Sequence, residues 1–80
     1  MKLLVLGPGC KNCQRLYADV EAAVAETGVA ATVDKVTDIQ EIMKYRIMSS
    51  PALVINDEVV VAGRVPSRSE IVKLINAAVS

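Results

Sequence analysis

The sequence predicts an α/β domain in the order β-α-β-α-β-β-α, a four-stranded mixed sheet flanked by three helices, and three observations carry that prediction. Short unbroken aliphatic runs of strand length occur at Leu3 to Leu6 and Ala52 to Ile55, as strands covered on both faces require. Two longer stretches, from Lys11 and from Arg68, repeat their apolar residues at helical spacing. Between these elements stand Gly, Pro, Asn and Asp in turn-forming clusters.

The elements follow in order. Residues 2–6 form the first strand, and Gly7-Pro8-Gly9 breaks it. From Lys11 onward Cys13, Leu16, Tyr17, Val20, Ala23 and Val24 share one helix face, and Gly28 supplies the left-handed conformation that ends the helix. Val29 to Val36 is rich in β-branched residues and alternates loosely, which predicts a second strand at or near a sheet edge. Asp38-Ile39-Gln40-Glu41 has the pattern of a capping box and opens a short helix through about Tyr45, with Ile39, Ile42 and Met43 facing inward. The Ser49-Ser50-Pro51 stretch ends that segment, since a residue before proline is driven out of helical conformation. Ala52 to Ile55 and Val59 to Ala62 then form a hairpin across Asn56-Asp57-Glu58. Ser67-Arg68-Ser69-Glu70, preceded by Pro66, starts a final helix with Ile71, Leu74, Ile75 and Ala78 as its buried stripe. The first β-α-β unit predicts a parallel pair with a right-handed crossover.

Eighty residues suit one domain, taken as residues 1–80, because a second would lack a core of its own. The nine basic and nine acidic residues cancel, so the excess of cations that non-specific nucleic-acid binding needs is missing. No apolar run is long enough for a membrane span or a signal-peptide core, and a cytoplasmic monomer is the expectation. Gly7-Pro8-Gly9 lacks the Gly-Lys-Ser/Thr ending of a phosphate-binding loop.

Chemistry therefore centres on sulfur. The chain has two cysteines, Cys10 and Cys13, and no histidine. On a helix, residues three apart have Cβ atoms roughly 5–6 Å from each other, within reach of a disulfide once the first turn adjusts. A cysteine at a helix N-terminus also meets unpaired N–H groups and the positive end of the helix dipole, both of which favour the nucleophilic thiolate. Cys10 is thus the candidate nucleophile, aided by Lys11 and Arg15, and Cys13, one turn in, the candidate resolving thiol. The alternative is a soft-metal carrier holding an ion such as Cu(I) between the same two thiolates. Two sulfurs without histidine cannot close a four-ligand zinc site within one chain.

A strand, then Gly-Pro-Gly-Cys-Lys-Asn-Cys, a long helix, and Ser50-Pro51 at the head of an apolar strand and hairpin resemble the small thioredoxin-like redox-active disulfide proteins. These are short members of the thioredoxin/glutaredoxin superfamily, and the resemblance runs over nearly the whole chain. It implies a thioredoxin-like fold and a thiol–disulfide oxidoreductase whose only redox group is the Cys10–Cys13 pair. A disulfide-containing protein would be the substrate, and a separate reductase or small thiol the electron donor. It further implies that Pro51 is cis and faces the Cys10 sulfur, with the backbone at Ser50 pairing an extended substrate strand. Gly9, which stands where typical thioredoxins carry Trp, completes the candidate substrate-binding set with Ser50 and Pro51. Two further departures concern the chemistry: Lys11-Asn12 replaces Gly-Pro between the cysteines, and Leu3 to Leu6 contains no buried acid. Redox direction cannot therefore be borrowed from thioredoxin, and the proton of the second thiol needs a route through water or backbone. The heavy-metal domains that share a Cys-x-x-Cys entry run β-α-β-β-α-β and end in a strand, unlike this chain. Tyr17 and Tyr45 read as packing residues, and Arg64 as a cation that steers an acidic partner.

Overall fold

A computed structural model describes residues 1–9, 11–47 and 51–79. Its elements are β1 (Lys2–Leu6), α1 (Lys11–Thr27), β2 (Thr32–Val36), α2 (Ile39–Met43), β3 (Ala52–Ile55), β4 (Glu58–Ala62) and α3 (Arg68–Val79). Three helices and one mixed sheet in the expected order give the thioredoxin-like α/β fold.

The sheet runs β2-β1-β3-β4, with β1 parallel to β2 and antiparallel to β3, and β3 antiparallel to β4. This order explains the sequence patterns. The two central strands, β1 and β3, are buried on both faces from Leu3 to Leu6 and from Ala52 to Ile55, so both are continuous aliphatic runs. The edge strands β2 and β4 mix exposed and half-buried positions, with only Val61 of β4 fully buried. Side chains of β1 divide by parity: Leu3 and Val5 join Leu16, Val20, Ala23, Ile71 and Ile75 in the larger core, which α1 and α3 cover together. Leu4 and Leu6 join Ala52, Val54 and Ile42 in a smaller cluster on the opposite face, where α2 packs.

Two boundaries, one register and the burial of α2 differ from the sequence expectation, each for a local reason. β2 begins at Thr32, not Val29, because its ladder starts at the Lys2–Thr32 pairing; Val29 and Ala31 instead pack as a connection against the larger core. The hairpin turn is two residues, Asn56 and Asp57, both at positive φ (50° and 68°) as its tightness demands, so β4 starts at Glu58. Register shifts in this hairpin: Leu53 faces Val61 while Val54 faces Val59, leaving Val60 as the extra residue of a bulge. At α2 only Ile42 is buried; Ile39 and Met43 are 57% and 67% exposed, because a helix of five residues presents a single position to the sheet.

The caps are simpler than reciprocal boxes. The Asp38 carboxylate accepts from the backbone N–H of Gln40 at 2.9 Å, while Glu41 accepts from Lys44 Nζ at 3.0 Å. Ser67 Oγ accepts from the N–H of Glu70 at 3.2 Å. Of the expected α3 stripe, Ile71 and Ile75 are buried, Leu74 is half-buried and Ala78 lies exposed beyond the core. Gly28 closes α1 at φ 69°, its N–H bonded to the Val24 carbonyl at 3.1 Å.

This distribution of burial sets distinct mutational costs. Leu16→Ala is expected to lose about 2–5 kcal/mol by leaving a cavity under α1, whereas Met43→Ala stays within about 0.5 kcal/mol. Urea denaturation of the two variants, with the thiols kept reduced, checks both values.

Candidate redox site

The C-terminal ends of β1 and β2 and the first turns of α1 meet at one edge of the molecule. Gly7 leaves β1 there and is buried, its N–H donating to the Val36 carbonyl at 2.9 Å. It packs directly beneath Cys13: a Cβ at position 7 would overlap Cys13 Sγ and lie 3.0 Å from its Cβ and 3.9 Å from the Pro51 Cα. Glycine is needed here for space, because the sulfur occupies what would be the side chain's volume. Cys13 is 5% exposed, one of the inward positions of α1 beside Leu16 and Val20.

Pro51 is buried at the head of β3, and its carbonyl accepts from the N–H of Gly63 at 2.9 Å. The structure therefore brings Cys13 and Pro51 together around Gly7. Gly9 is exposed in the connector at φ 94°, a conformation open to glycine, and its carbonyl accepts from Gln14 Nε2 at 3.1 Å. Two candidate site residues, Cys10 and Ser50, lie outside the described residues, and with them the Cys10–Cys13 disulfide and the Ser50–Pro51 peptide bond.

A cleft of about 320 Å³ opens beside the buried thiol, lined by Gly7, Cys13, Gln14, Tyr17, Lys35 and Thr37. Sequence reading did not identify Lys35 or Thr37. Their signal was the parity of β2: Val33 faces the larger core, so Lys35 and Thr37 continue that face past the cover of α1. Tyr17 is half-buried as expected, but its ring also walls this cleft. The Tyr17 hydroxyl approaches the Val33 carbonyl at 3.4 Å, and Lys35 Nζ sits 4.8 Å from the ring centroid.

Arg64 is not available as an unpaired steering charge. Its guanidinium makes two parallel hydrogen bonds to the Glu70 carboxylate, at 3.1 and 2.5 Å, joining the connector after β4 to the first turn of α3. The hydrogen bonds from Arg64 hold the Glu70 carboxyl below its ordinary pKa, and the same bonds raise that of Arg64. No helix among the described residues is long and apolar enough to cross a membrane.

With this geometry in place, comparison with known proteins is direct. The family model described as "Thioredoxin domain" matches residues 1–76. The chain belongs to the thioredoxin family, and its function is a thioredoxin-like redox function. A protein named "Thioredoxin" from Methanothermobacter thermautotrophicus is 34% identical over 76 residues, covering 95% of this chain and 99% of that one. Another of the same name from Methanocaldococcus jannaschii is 37% identical over 67 residues, covering 84% of this chain and 77% of that one. The soft-metal alternative gains no support: the match over residues 1–76 is to a thioredoxin domain.

Three outcomes follow from these contacts. Gly7→Ala is expected to destabilise the dithiol form by about 1–3 kcal/mol, since the sulfur must move out of its packed position. In a Cys10→Ser background the same change should speed alkylation of Cys13, as timed mass spectrometry would show. For Glu70, a depressed folded pKa means its contribution is present above the ordinary carboxylate range and lost as pH falls through the folded value. The stability gap between wild type and Glu70→Gln, measured by urea denaturation at pH 7 and pH 3, should accordingly shrink on acidification.

Proposed function

We propose that the protein is a thiol–disulfide oxidoreductase whose redox group is the Cys10–Cys13 pair and which reduces disulfides of other proteins. One observation supports this most: Cys13 is buried on the inner face of the first turn of α1, packed against Gly7 at the point that Pro51 also approaches, where a resolving thiol belongs. Cys10 immediately precedes the first helical residue, Lys11, and α1 carries no acid in its first turn to oppose a thiolate.

The exchange runs in two displacements. The Cys10 thiolate attacks one sulfur of a substrate disulfide; a Cys10–substrate disulfide forms and the other substrate sulfur leaves as a thiolate that takes up a proton. Cys13 then gives up its proton and attacks the Cys10 sulfur, forming the internal disulfide and releasing the second substrate thiol. Two electrons and two protons pass to the substrate. Regeneration needs the reverse exchange with a separate dithiol reductase or a small thiol. In the substrate complex, backbone at Ser50 and Pro51 would pair the extended substrate segment, with Gly9 leaving the space beside it open. No further cofactor enters this scheme. Because the buried residues of β1, Leu3 to Leu6, include no acid, the Cys13 proton must leave by another route. The cleft that reaches Cys13 would admit water for it.

Equilibration in glutathione buffers of graded ratio, followed by acid quench and thiol counting, tests the proposal. A reversible two-electron transition that disappears in Cys10→Ser and in Cys13→Ser is the expected result. Absence of an internal disulfide across the series would overturn it.

A further inference from the structure

The cleft beside Cys13 has a charge that the exchange mechanism does not use. Lys35 projects from β2, and among the described residues no carboxylate pairs with its ammonium. Its neighbour is the Tyr17 ring, 4.8 Å away, and Tyr17 is itself tied to the β2 backbone through Val33. A cation over a ring is held without being neutralised, because the ring takes no hydrogen bond along the ammonium's remaining N–H directions. The result is a fixed positive charge with donor capacity to spare. Beside it stand a hydroxyl, Thr37, and the side-chain amide of Gln14, whose Nε2 donates to the Gly9 carbonyl. Lys11 and Arg15 on α1 add to the same sign, and the first turn of that helix carries no acid. A cleft of about 320 Å³ is at the small end of ligand sites, wide enough for a few heavy atoms.

We propose that this cleft is a subsite for a carboxylate, and that it selects low-molecular-weight disulfides carrying one close to sulfur. The carboxylate accepts from Lys35 Nζ and the Thr37 hydroxyl, which holds the attached disulfide in the cleft that Cys13 lines. This rests on the exchange reading above: the reduced protein converts such a disulfide to two thiols while the Cys10–Cys13 disulfide forms, so electrons and protons balance without another reagent. Lys35 and Thr37 act on binding, not on the sulfur chemistry.

Two measurements test the subsite. The first is the ratio of rate constants for reduction of 3,3′-dithiodipropionate, an anion, and bis(2-hydroxyethyl) disulfide, its neutral counterpart. In Lys35→Met that ratio is expected to fall about three- to fivefold, the size of an exposed charge pair, and Lys35→Arg should restore it. Rising salt should erode the ratio in wild type more steeply than in Lys35→Met, where only the Lys11 and Arg15 charges remain. An unaltered ratio in Lys35→Met would overturn the proposal. The second titrates the protein, its thiols kept reduced, with 3,3′-thiodipropionate, which has no disulfide to reduce, and follows amide shifts at Gln14, Lys35 and Thr37. Saturable shifts in wild type that vanish in Lys35→Met support the subsite; equal or absent shifts contradict it. This second reading stands whether or not the dithiol cycles, so a protein that binds the dicarboxylate yet reduces neither disulfide would refute the exchange reading alone.

Discussion

Cys13 Sγ lies where a side chain at position 7 would be, and the arrangement of the redox edge depends on that contact. β1 must stop in a residue without a Cβ for α1 to come down close enough to bury its second cysteine. Once Gly7 allows this, α1 descends with Leu16, Val20 and Ala23 onto Leu3 and Val5, and the larger core closes. The same glycine brings the head of β3 to the sulfur through Pro51. Packing and chemistry share one constraint: the residues that seal the core are those that set where the inner thiol sits.

The two faces of the sheet are unequal, and the site lies at the end where they meet. α1 and α3 together cover one face with a well-filled core. The other is covered by α2, five residues long, and by the half-buried Val36, Tyr45, Ile47 and Val59. At the connector after β4, Arg64 grips Glu70 through two hydrogen bonds and fixes the entry to α3. These bonds are exposed and hold a loop in register, while the aliphatic layers carry the stability.

Most of the architecture was legible because its signals are local. Leu3 to Leu6 and Ala52 to Ile55 announced central strands through unbroken apolarity, Gly28 announced the end of α1, and Ser67 the start of α3. What escaped depends on neighbours. Val29 is as β-suited as Val33, yet β2 starts only where its partner's ladder starts, at Lys2–Thr32. Ile39 and Met43 have the right spacing to be buried, but a one-turn helix offers one inward position, taken by Ile42. Ala78 lies past the sheet that α3 covers. At the site, the Cys-x-x-Cys spacing and Ser-Pro were readable in the chain, whereas Gly7 as a space-making residue and Lys35 as a cleft charge emerge only when β1, β2 and α1 are assembled.

The absence of an acid in β1 separates this chain from the usual thioredoxin pattern. The account nonetheless assigns the two sulfurs different parts: an outer thiol that bonds to substrate and an inner one that releases it. Covalent trapping tests this most directly. Reduced Cys13→Ser and Cys10→Ser proteins would each be mixed with a disulfide-bonded peptide and quenched with acid, and intact masses recorded. The account predicts a persistent peptide adduct on Cys10 in the Cys13→Ser protein and little or none in the Cys10→Ser protein. An adduct forming on Cys13 as readily as on Cys10 would contradict it.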